Sequence, residues 1–167
     1  MMRRMKKSIS ILGGSGFIGT SVAENLSNSQ IKFTISDIKE SKSFTEKFIP
    51  ADIRDFEQLN KALSSCYTVL NLAAVHRDDV TDIDDYYSTN VEGAQVLCQV
   101  CEEKGINKIV FTSSVAVYGF APPGTGEDGT INPFNEYGRT KALAEDVYRE
   151  WRDKDPKNRS LIIVRPT

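Results

Sequence analysis

The chain has 167 residues, of which 40% are hydrophobic and 26% are charged, and its formal net charge at pH 7 is −2. This length and composition suit one globular domain with its own core. The nearly balanced charge gives no reason to expect a nucleic acid or an anionic membrane, so we predict neither as a partner.

The start of the chain is basic, but the apolar run that follows, Ile9 to Leu12, is too short for a signal sequence or a membrane span. The three cysteines include the pair Cys98 and Cys101, spaced C-x-x-C, with no second pair beside them. We interpret them as packed thiols in a reducing cytosol. The sequence therefore predicts a cytoplasmic protein with no metal site.

Strand-like and helix-like segments alternate along the chain. Apolar patterning predicts strands over residues 8–12, 31–35, 48–49, 67–72, 108–113 and 161–164. It predicts helices over 17–28 and 136–153, and a helix that Asp55 caps and that runs through Leu63. It also predicts a long helix that opens at Asp82 or Asp84, runs through Lys104 and is closed by Gly105. Residues 120–134 carry three prolines and three glycines, so we expect a loop there.

This alternation indicates an α/β fold with a parallel sheet and helices on both faces. Six strands suggest the doubly wound, Rossmann-type order 3-2-1-4-5-6. In such sheets ligands bind at the carboxyl ends of strands one and four, where the winding direction reverses.

Three glycines, Gly13, Gly16 and Gly19, follow the first predicted strand and open the first helix. Gly13 would permit a tight turn, Gly16 a close approach of the backbone to a pyrophosphate, and Gly19 close packing of the helix. The helix N-terminus offers unpaired N–H groups to the phosphates. We predict a dinucleotide site, with a purely structural turn as the alternative.

An acidic residue, Asp37, lies 18 residues after Gly19, just past the second predicted strand. A carboxylate there accepts hydrogen bonds from ribose hydroxyls and repels a 2′-phosphate, which favours NAD over NADP. Lys39 is a counter-signal, because a basic residue could receive that phosphate. A simple turn residue is the alternative interpretation of Asp37.

A phenol and an ammonium, those of Tyr137 and Lys141, share one face of the last predicted helix. A lysine at that distance favours the ionised form of a tyrosine and would let the phenol act as an acid or base near neutral pH. By itself the spacing is also compatible with an ordinary solvated helix face.

With these motifs in order, the chain resembles the extended short-chain dehydrogenase/reductases, in particular the NAD-dependent epimerase/dehydratase branch. The glycine loop, the Asp52-Ile53 pair, the segment 71–74, Asn90, the segment 111–119 and the Tyr137–Lys141 pair all match its motifs. The resemblance covers essentially the whole chain. It implies NAD contacts at Gly13, Gly16, Phe17, Ile18, Gly19, Asp37, Asp52, Ile53, Leu72, Ala73, Ala74, His76, Asn90, Tyr137 and Lys141.

The resemblance also implies catalytic roles. Tyr137 would be the acid/base at a sugar hydroxyl, and Lys141 would lower its pKa and bind the nicotinamide ribose. Ser114 aligns with the catalytic Ser/Thr of the family, and Ser113 is the competing candidate. Because neighbouring residues on a strand face opposite ways, only one of the two can face the sugar.

Two departures from the family narrow the expected reaction. Dehydratases carry an Asp-Glu pair after the Ser/Thr, whereas this chain has Val115 and Ala116, which cannot transfer protons. We therefore expect an NAD-dependent epimerase of the UDP-sugar 4-epimerase type. The alternatives are an NAD(P)-dependent reductase or dehydrogenase on the same scaffold, and a non-catalytic dinucleotide-binding module.

The expected partner is a nucleotide-sugar, a UDP-sugar first, and relatives of this kind often form homodimers through the helices predicted here over 82–104 and 136–153. The chain stops at Arg165-Pro-Thr167, directly after the last predicted strand. We therefore interpret residues 1–167 as one NAD-binding domain, expect a substrate domain beyond them, and expect little activity from this chain alone.

Overall fold

The computed structural model describes residues 8–76 and 82–167. In these residues six parallel strands form one sheet in the order β3-β2-β1-β4-β5-β6. The strands are β1 Ile9–Leu12, β2 Phe33–Asp37, β3 Phe48–Pro50, β4 Thr68–Asn71, β5 Lys108–Thr112 and β6 Ser160–Val164. The predicted doubly wound α/β fold is confirmed.

Helical segments connect the strands. They are α1 Phe17–Asn28, α2 Phe56–Ala62, α3 Asp84–Tyr86, a π-helical segment Tyr87–Glu92, α4 Gly93–Lys104 and α5 Glu136–Asp153, with 3₁₀ turns at Thr45–Lys47 and Val115–Tyr118. The predicted bounds of α1 and α5 are confirmed. Asp55 caps α2 by accepting a hydrogen bond from the N–H of Gln58, which was also predicted.

The second strand begins two residues later than predicted. The N–H of Ile31 donates to the carbonyl of Leu26 at 2.9 Å, and Gln30 has a φ of 55°. Ile31 therefore closes the end of α1 instead of entering the sheet. The alternation of buried residues starts only at Phe33.

The predicted long helix is present but not uniform. It begins at Asp84, whose N–H donates to the Asp82 carboxylate at 3.0 Å, so both acidic candidates take part in its start. The π-helical segment then interrupts the α-helical pattern over Tyr87–Glu92, a local widening that is frequent at functional sites. Gly105, at a φ of 64°, ends α4 as predicted.

The core divides between the two faces of the sheet, because alternate residues of each strand point to opposite sides. Leu12, Val69 and Phe111 pack in the larger cluster with residues of α2, α4 and α5. Ile11 and Ile35 pack in the smaller cluster with α1. Burial on both faces holds the carboxyl ends of the central strands in fixed positions, and these ends carry the site.

Candidate active site

A cavity of about 600 Å³ opens at the carboxyl ends of β1, β2 and β4. This is where the winding direction reverses, as the fold requires of a ligand site. Of the residues predicted to contact the cofactor, nine line it: Gly13, Gly16, Asp37, Asp52, Ile53, Leu72, Ala73, Ala74 and His76.

The glycine loop forms one wall of the cavity. Gly13 has a φ of 71°, and a Cβ on it would lie 2.6 Å from the backbone nitrogen of Ala73. Only glycine therefore lets this turn lie against the segment that follows β4. Gly16 is exposed and directly precedes α1, so the free N–H groups of the helix start face the cavity side.

Asp37 connects the second strand to this loop. Its Oδ2 accepts a hydrogen bond from the N–H of Ser15 at 3.1 Å, and its Oδ1 accepts one from the N–H of Lys39 at 3.1 Å. The carboxylate thus stands at the cavity wall with its orientation fixed by two backbone donors. This arrangement is suitable for accepting further hydrogen bonds from ribose hydroxyls.

Two hydroxyl groups support a polar ligand in the cavity. Ser15 and Ser36 both line it, and their Oγ atoms are buried without a hydrogen-bond partner among the described residues. Buried polar atoms are normally paired, so these two are available to a bound molecule. Together with Asp37 and the start of α1, they fit a dinucleotide.

Asp52 and Ile53 lie where an adenine contact was predicted. Arg54 donates to both carboxylate oxygens of Asp52, with Nη2 2.6 Å from Oδ2, and this hydrogen bonding lowers the pKa of Asp52. The pair holds the connection between β3 and α2 against the cavity. Ile53 is buried, and a Cβ on Gly93 would lie 2.8 Å from its side chain.

Six predicted contacts lie outside the cavity lining: Phe17, Ile18, Gly19, Asn90, Tyr137 and Lys141. Phe17 is 93% exposed and Ile18 is 50% exposed, because both point away from the sheet at the start of α1. Gly19 is buried against the glycine loop itself. Any contact of these residues with the cofactor stays a prediction.

The cavity also has lining residues that were not among the predicted cofactor contacts: Leu12, Ser15, Ser36, Ile38, Lys39, Ala51, Arg54, Leu59, Val75, Asp85 and Thr89. Most are sequence neighbours of the motifs, and widening each motif by one or two residues would have found them. Asp85 and Thr89 come from α3 and the π-helical segment. Only the tertiary structure brings these two to the cavity.

Asn90 joins the cavity to α5. Its side chain accepts a hydrogen bond from the N–H of Val75 at 2.9 Å and donates to the Val75 carbonyl at 3.0 Å. It also donates to Thr140 Oγ at 3.0 Å. Val75 lines the cavity and Thr140 lies on the helix of Tyr137 and Lys141. Asn90 therefore fixes the distance between the two parts of the site.

Ser114 and Tyr137 come together at the carboxyl end of β5. Ser114 caps the 3₁₀ turn by accepting a hydrogen bond from the N–H of Ala116 at 3.1 Å. Its hydroxyl also interacts with the Tyr137 phenol, which lowers the phenol's pKa. A Cβ on Gly138 would lie 2.4 Å from the Ala116 carbonyl, so glycine permits this close approach of α5.

The predicted lowering of the Tyr137 pKa by Lys141 stays a prediction. Burial is the largest influence on Tyr137, and it raises the pKa of the phenol above its usual value, although the nearby Ser114 hydroxyl acts in the opposite direction. Lys141 is itself 2% exposed, with Nζ 4.3 Å from the centre of the Phe111 ring. Burial lowers the pKa of Lys141 to about 7, and Glu145 opposes that change.

The two candidate serines face different groups, as strand geometry requires. Ser113 is buried, and its Oγ lies near the Glu145 carboxylate. This hydroxyl lowers the pKa of Glu145, although the geometry between the two groups falls short of a hydrogen bond. Ser114 lies beside Tyr137. The geometry therefore favours Ser114 over Ser113 for the predicted role.

The cysteines are packed thiols. Cys98 and Cys101 are buried, and burial raises the pKa of Cys98 to about 12. No group of three or more His, Cys, Asp or Glu side chains that could hold a metal ion occurs in residues 8–76 and 82–167. Over those same ranges, no helix combines the length and apolar character needed to cross a membrane.

Comparison with known proteins places this site in context. The model of the NAD dependent epimerase/dehydratase family matches residues 9–167. The chain is 42% identical over 164 residues to an N-acetyl-alpha-D-glucosaminyl-diphospho-ditrans,octacis-undecaprenol 4-epimerase of Escherichia coli O157:H7, covering 98% of this chain and 49% of that protein. It is 31% identical over 168 residues to a UDP-glucose 4-epimerase of Bacillus subtilis (strain 168), covering 89% of this chain and 49% of that protein.

A solved structure shows the same fold. The UDP-glucose 4-epimerase of Brucella ovis in complex with NAD aligns with a TM-score of 0.86 at 28% identity, covering 95% of this chain and 51% of that one. The chain thus spans about half the length of the relatives it matches.

Proposed function

This chain belongs to the NAD-dependent epimerase/dehydratase family, and we propose that it is the cofactor-binding and proton-transfer part of a sugar 4-epimerase. The cofactor is NAD, on which the family depends and with which its solved structural relative was crystallised. The observation that carries the proposal is the grouping of Ser114, Tyr137 and buried Lys141, joined through Asn90 to the wall of the dinucleotide cavity.

The residues of this chain would divide the work. The start of α1 would hold the phosphates and Asp37 the adenosine ribose, while Asp52 and Ile53 would lie against the adenine. When bound, NAD supplies reversible removal of hydride from a sugar carbon. The Tyr137 phenol would exchange the proton of the hydroxyl on that carbon, and Ser114 would hold the same oxygen.

Lys141 would act by its charge. An ammonium one helical turn from Tyr137 favours the phenolate over the phenol, which offsets the effect of burial on the phenol. Val115 and Ala116 have no group that can transfer a proton, which supports inversion of a hydroxyl over elimination of water. Return of hydride to the opposite face of the same carbon would complete the epimerisation.

The test is an assay of the full-length protein with NAD and UDP-glucose or UDP-N-acetylglucosamine. Nuclear magnetic resonance of the anomeric proton should show conversion to the galacto isomer without net formation of reduced cofactor. Net oxidation or reduction of the cofactor would favour the reductase or dehydrogenase alternative. Tight NAD binding without any conversion of a sugar substrate would favour the non-catalytic module.

A second substrate class is favoured by a specific observation. Identity to the undecaprenol-diphosphate-linked N-acetylglucosamine 4-epimerase is 42%, against 31% for the UDP-glucose 4-epimerase of B. subtilis. Both carriers join the sugar to a diphosphate, so the same proton-transfer group would serve either. The assay should therefore include a polyprenyl-diphosphate-linked N-acetylglucosamine in parallel, and the substrate with the higher kcat/KM identifies the carrier.

We further propose that the protein is a cytoplasmic homodimer paired through α4 and α5. Two observations support this pairing. The helices α4 and α5 lie against each other within one chain, and Leu143 on α5 is an exposed apolar side chain. Light scattering of the full-length protein should give twice the mass of one chain. A monomer at micromolar concentration would contradict the proposed pairing.

A further inference from the structure

Glu145 is a buried carboxylate that the proposed reaction does not use. It lies one helical turn beyond Lys141 on α5 and is 1% exposed. Arg165 donates to it twice, from Nε to Oε1 at 2.8 Å and from Nη2 to Oε2 at 2.6 Å. Arg149 donates to Oε2 at 2.7 Å. A carboxylate buried this deeply destabilises the fold unless its charge is paired. Here two arginines donate three hydrogen bonds to it.

The same cluster reaches the segment that carries Ser114. Arg165 directly follows β6, and its Nη1 donates to the Glu127 carbonyl at 3.0 Å and to the Tyr118 hydroxyl. Its guanidinium also lies 5.0 Å from the centre of the Tyr118 ring. Tyr118 ends the 3₁₀ turn that Ser114 caps. Glu145 thus contacts, through one arginine, the turn that orients Ser114.

We propose that Glu145 is a positioning residue of the active site, which holds Lys141 as a cation across one helical turn and fixes the Ser114 turn through Arg165. The consequence for turnover rests on the proposed function. The coupling of charge between Glu145 and Lys141 is a property of the folded protein and can be measured without substrate.

The charge balance explains why one carboxylate matters. Lys141 is 2% exposed, and this burial disfavours its charged form. Glu145 favours the charged form and so opposes the effect of burial. The titratable and charged side chains on the elements packed against α5 are Asp84, Asp85, Tyr86, Tyr87, Glu92, Cys98, Cys101, Glu102, Glu103, Lys104 and Tyr118, with Arg165 directly after β6. Those on α5 itself, besides Lys141 and Glu145, are Glu136, Tyr137, Arg139, Asp146, Tyr148, Arg149, Glu150, Arg152 and Asp153.

The central test compares two variants of the full-length protein that should move the titration of Lys141 in opposite directions. The titration is read by nuclear magnetic resonance of carbon-13-labelled lysine, and the Lys141 signal is assigned by its loss in Lys141→Met. Glu145→Gln removes the favourable charge, so the midpoint should fall by about one pH unit. Arg149→Gln removes a cation that neutralises Glu145, so the midpoint should rise.

If Glu145 had only a structural role, these two variants would not shift the titration midpoint of Lys141 in opposite directions. An unchanged midpoint in folded Glu145→Gln, or a shift of both variants in the same direction, would overturn the inference. Should Glu145→Gln fail to fold, Arg149→Gln decides alone, because this arginine is 38% exposed and its loss leaves the Arg165 pair intact. A higher titration midpoint of Lys141 in Arg149→Gln supports the inference, and an unchanged or lower midpoint overturns it.

Turnover provides an independent readout. Glu145→Gln should lower kcat by at least about tenfold and change KM for the sugar substrate by less than about threefold, because it alters the proton-transfer group and not the substrate contacts. Glu145→Asp keeps the charge and should recover most of kcat. No recovery in Glu145→Asp, with a KM that rises as kcat falls, would overturn the positioning role.

The two proposals can fail separately. If the titration shifts as stated in a protein that epimerises none of the sugars, the proposed function fails and the coupling stands. If the protein is an active epimerase and the titration midpoint of Lys141 is unchanged in Glu145→Gln, the proposed coupling fails and the proposed function stands.

Discussion

The amide of Asn90 donates a hydrogen bond of 3.0 Å to Thr140 Oγ, and Thr140 lies between Tyr137 and Lys141 on α5. The same side chain bonds the backbone of Val75 on both its N–H and its carbonyl. One buried side chain therefore links the helix of the proposed proton-transfer residues to the wall of the candidate cofactor cavity. Asn90 lies in the π-helical segment.

Replacement of Asn90 should weaken both parts of the site. Asn90→Ala removes three hydrogen bonds and leaves buried partners unpaired, so the free energy of unfolding should fall by about 2–3 kcal/mol. The Kd for NAD should rise about tenfold, because the Val75 wall loses its support. Urea unfolding and calorimetry measure the two effects. Asn25→Ala is the matched control, since Asn25 is exposed and bonds only locally to Ser21; equal losses in both variants would contradict the role of Asn90.

Removal of the Tyr137 hydroxyl should abolish proton transfer and leave the cavity intact. In the full-length protein, Tyr137→Phe should lower kcat by at least about 100-fold while the Kd for NAD stays within about threefold. Tyr67→Phe, a change of the same kind directly before β4 and so away from the carboxyl ends of the strands, should keep full activity. Undiminished turnover in Tyr137→Phe would contradict the proposed mechanism.

The charge of Asp37 should set the choice between NAD and NADP. Asp37→Asn keeps an oxygen that can accept from a backbone N–H but removes the charge that repels a 2′-phosphate. The ratio of the Kd for NADP to the Kd for NAD should therefore fall at least about tenfold. Calorimetry with both cofactors measures it. Glu40→Gln makes the same charge change on an exposed side chain nearby and should leave the ratio unchanged.

Lys141 should lower the free energy of unfolding of the protein at neutral pH. Burial lowers its pKa from 10.5 to about 7. Between these values the unfolded chain binds the proton and the folded chain does not, so the contribution of Lys141 to the free energy of unfolding rises with pH from about 7 to about 10. Below about pH 7 the full cost remains.

A neutral replacement reveals this cost. Lys141→Met should raise the free energy of unfolding at pH 7 by on the order of 2–4 kcal/mol, and the gain should shrink as the pH approaches 10. Urea unfolding at several pH values measures it. Lys104→Met, at the end of α4, serves as the control and should show no such pH dependence. A gain that does not change with pH would contradict the lowered pKa of Lys141.

The sequence was sufficient wherever a local pattern has one structural solution. Apolar periodicity and end signals located α1 and α5, and Gly105 marked the end of α4 because a left-handed backbone favours glycine. Ile31 was assigned to a strand because it is apolar, and the assignment failed because its N–H closes the preceding helix. The π-helical segment left no signal, since its residues read like any helix.

By itself, the sequence determined the strand order, the glycine loop, the position of Asp37 and the helix that carries Tyr137 and Lys141, because these follow from short spacings and from the rules of parallel sheets. Only the tertiary structure decided which serine faces Tyr137, that Asn90 bridges Val75 and Thr140, and that Glu145 pairs with Arg149 and Arg165. The physical reason is burial. Charges and hydrogen bonds in the interior depend on which distant segments exclude water from them, and spacing along the chain does not specify that.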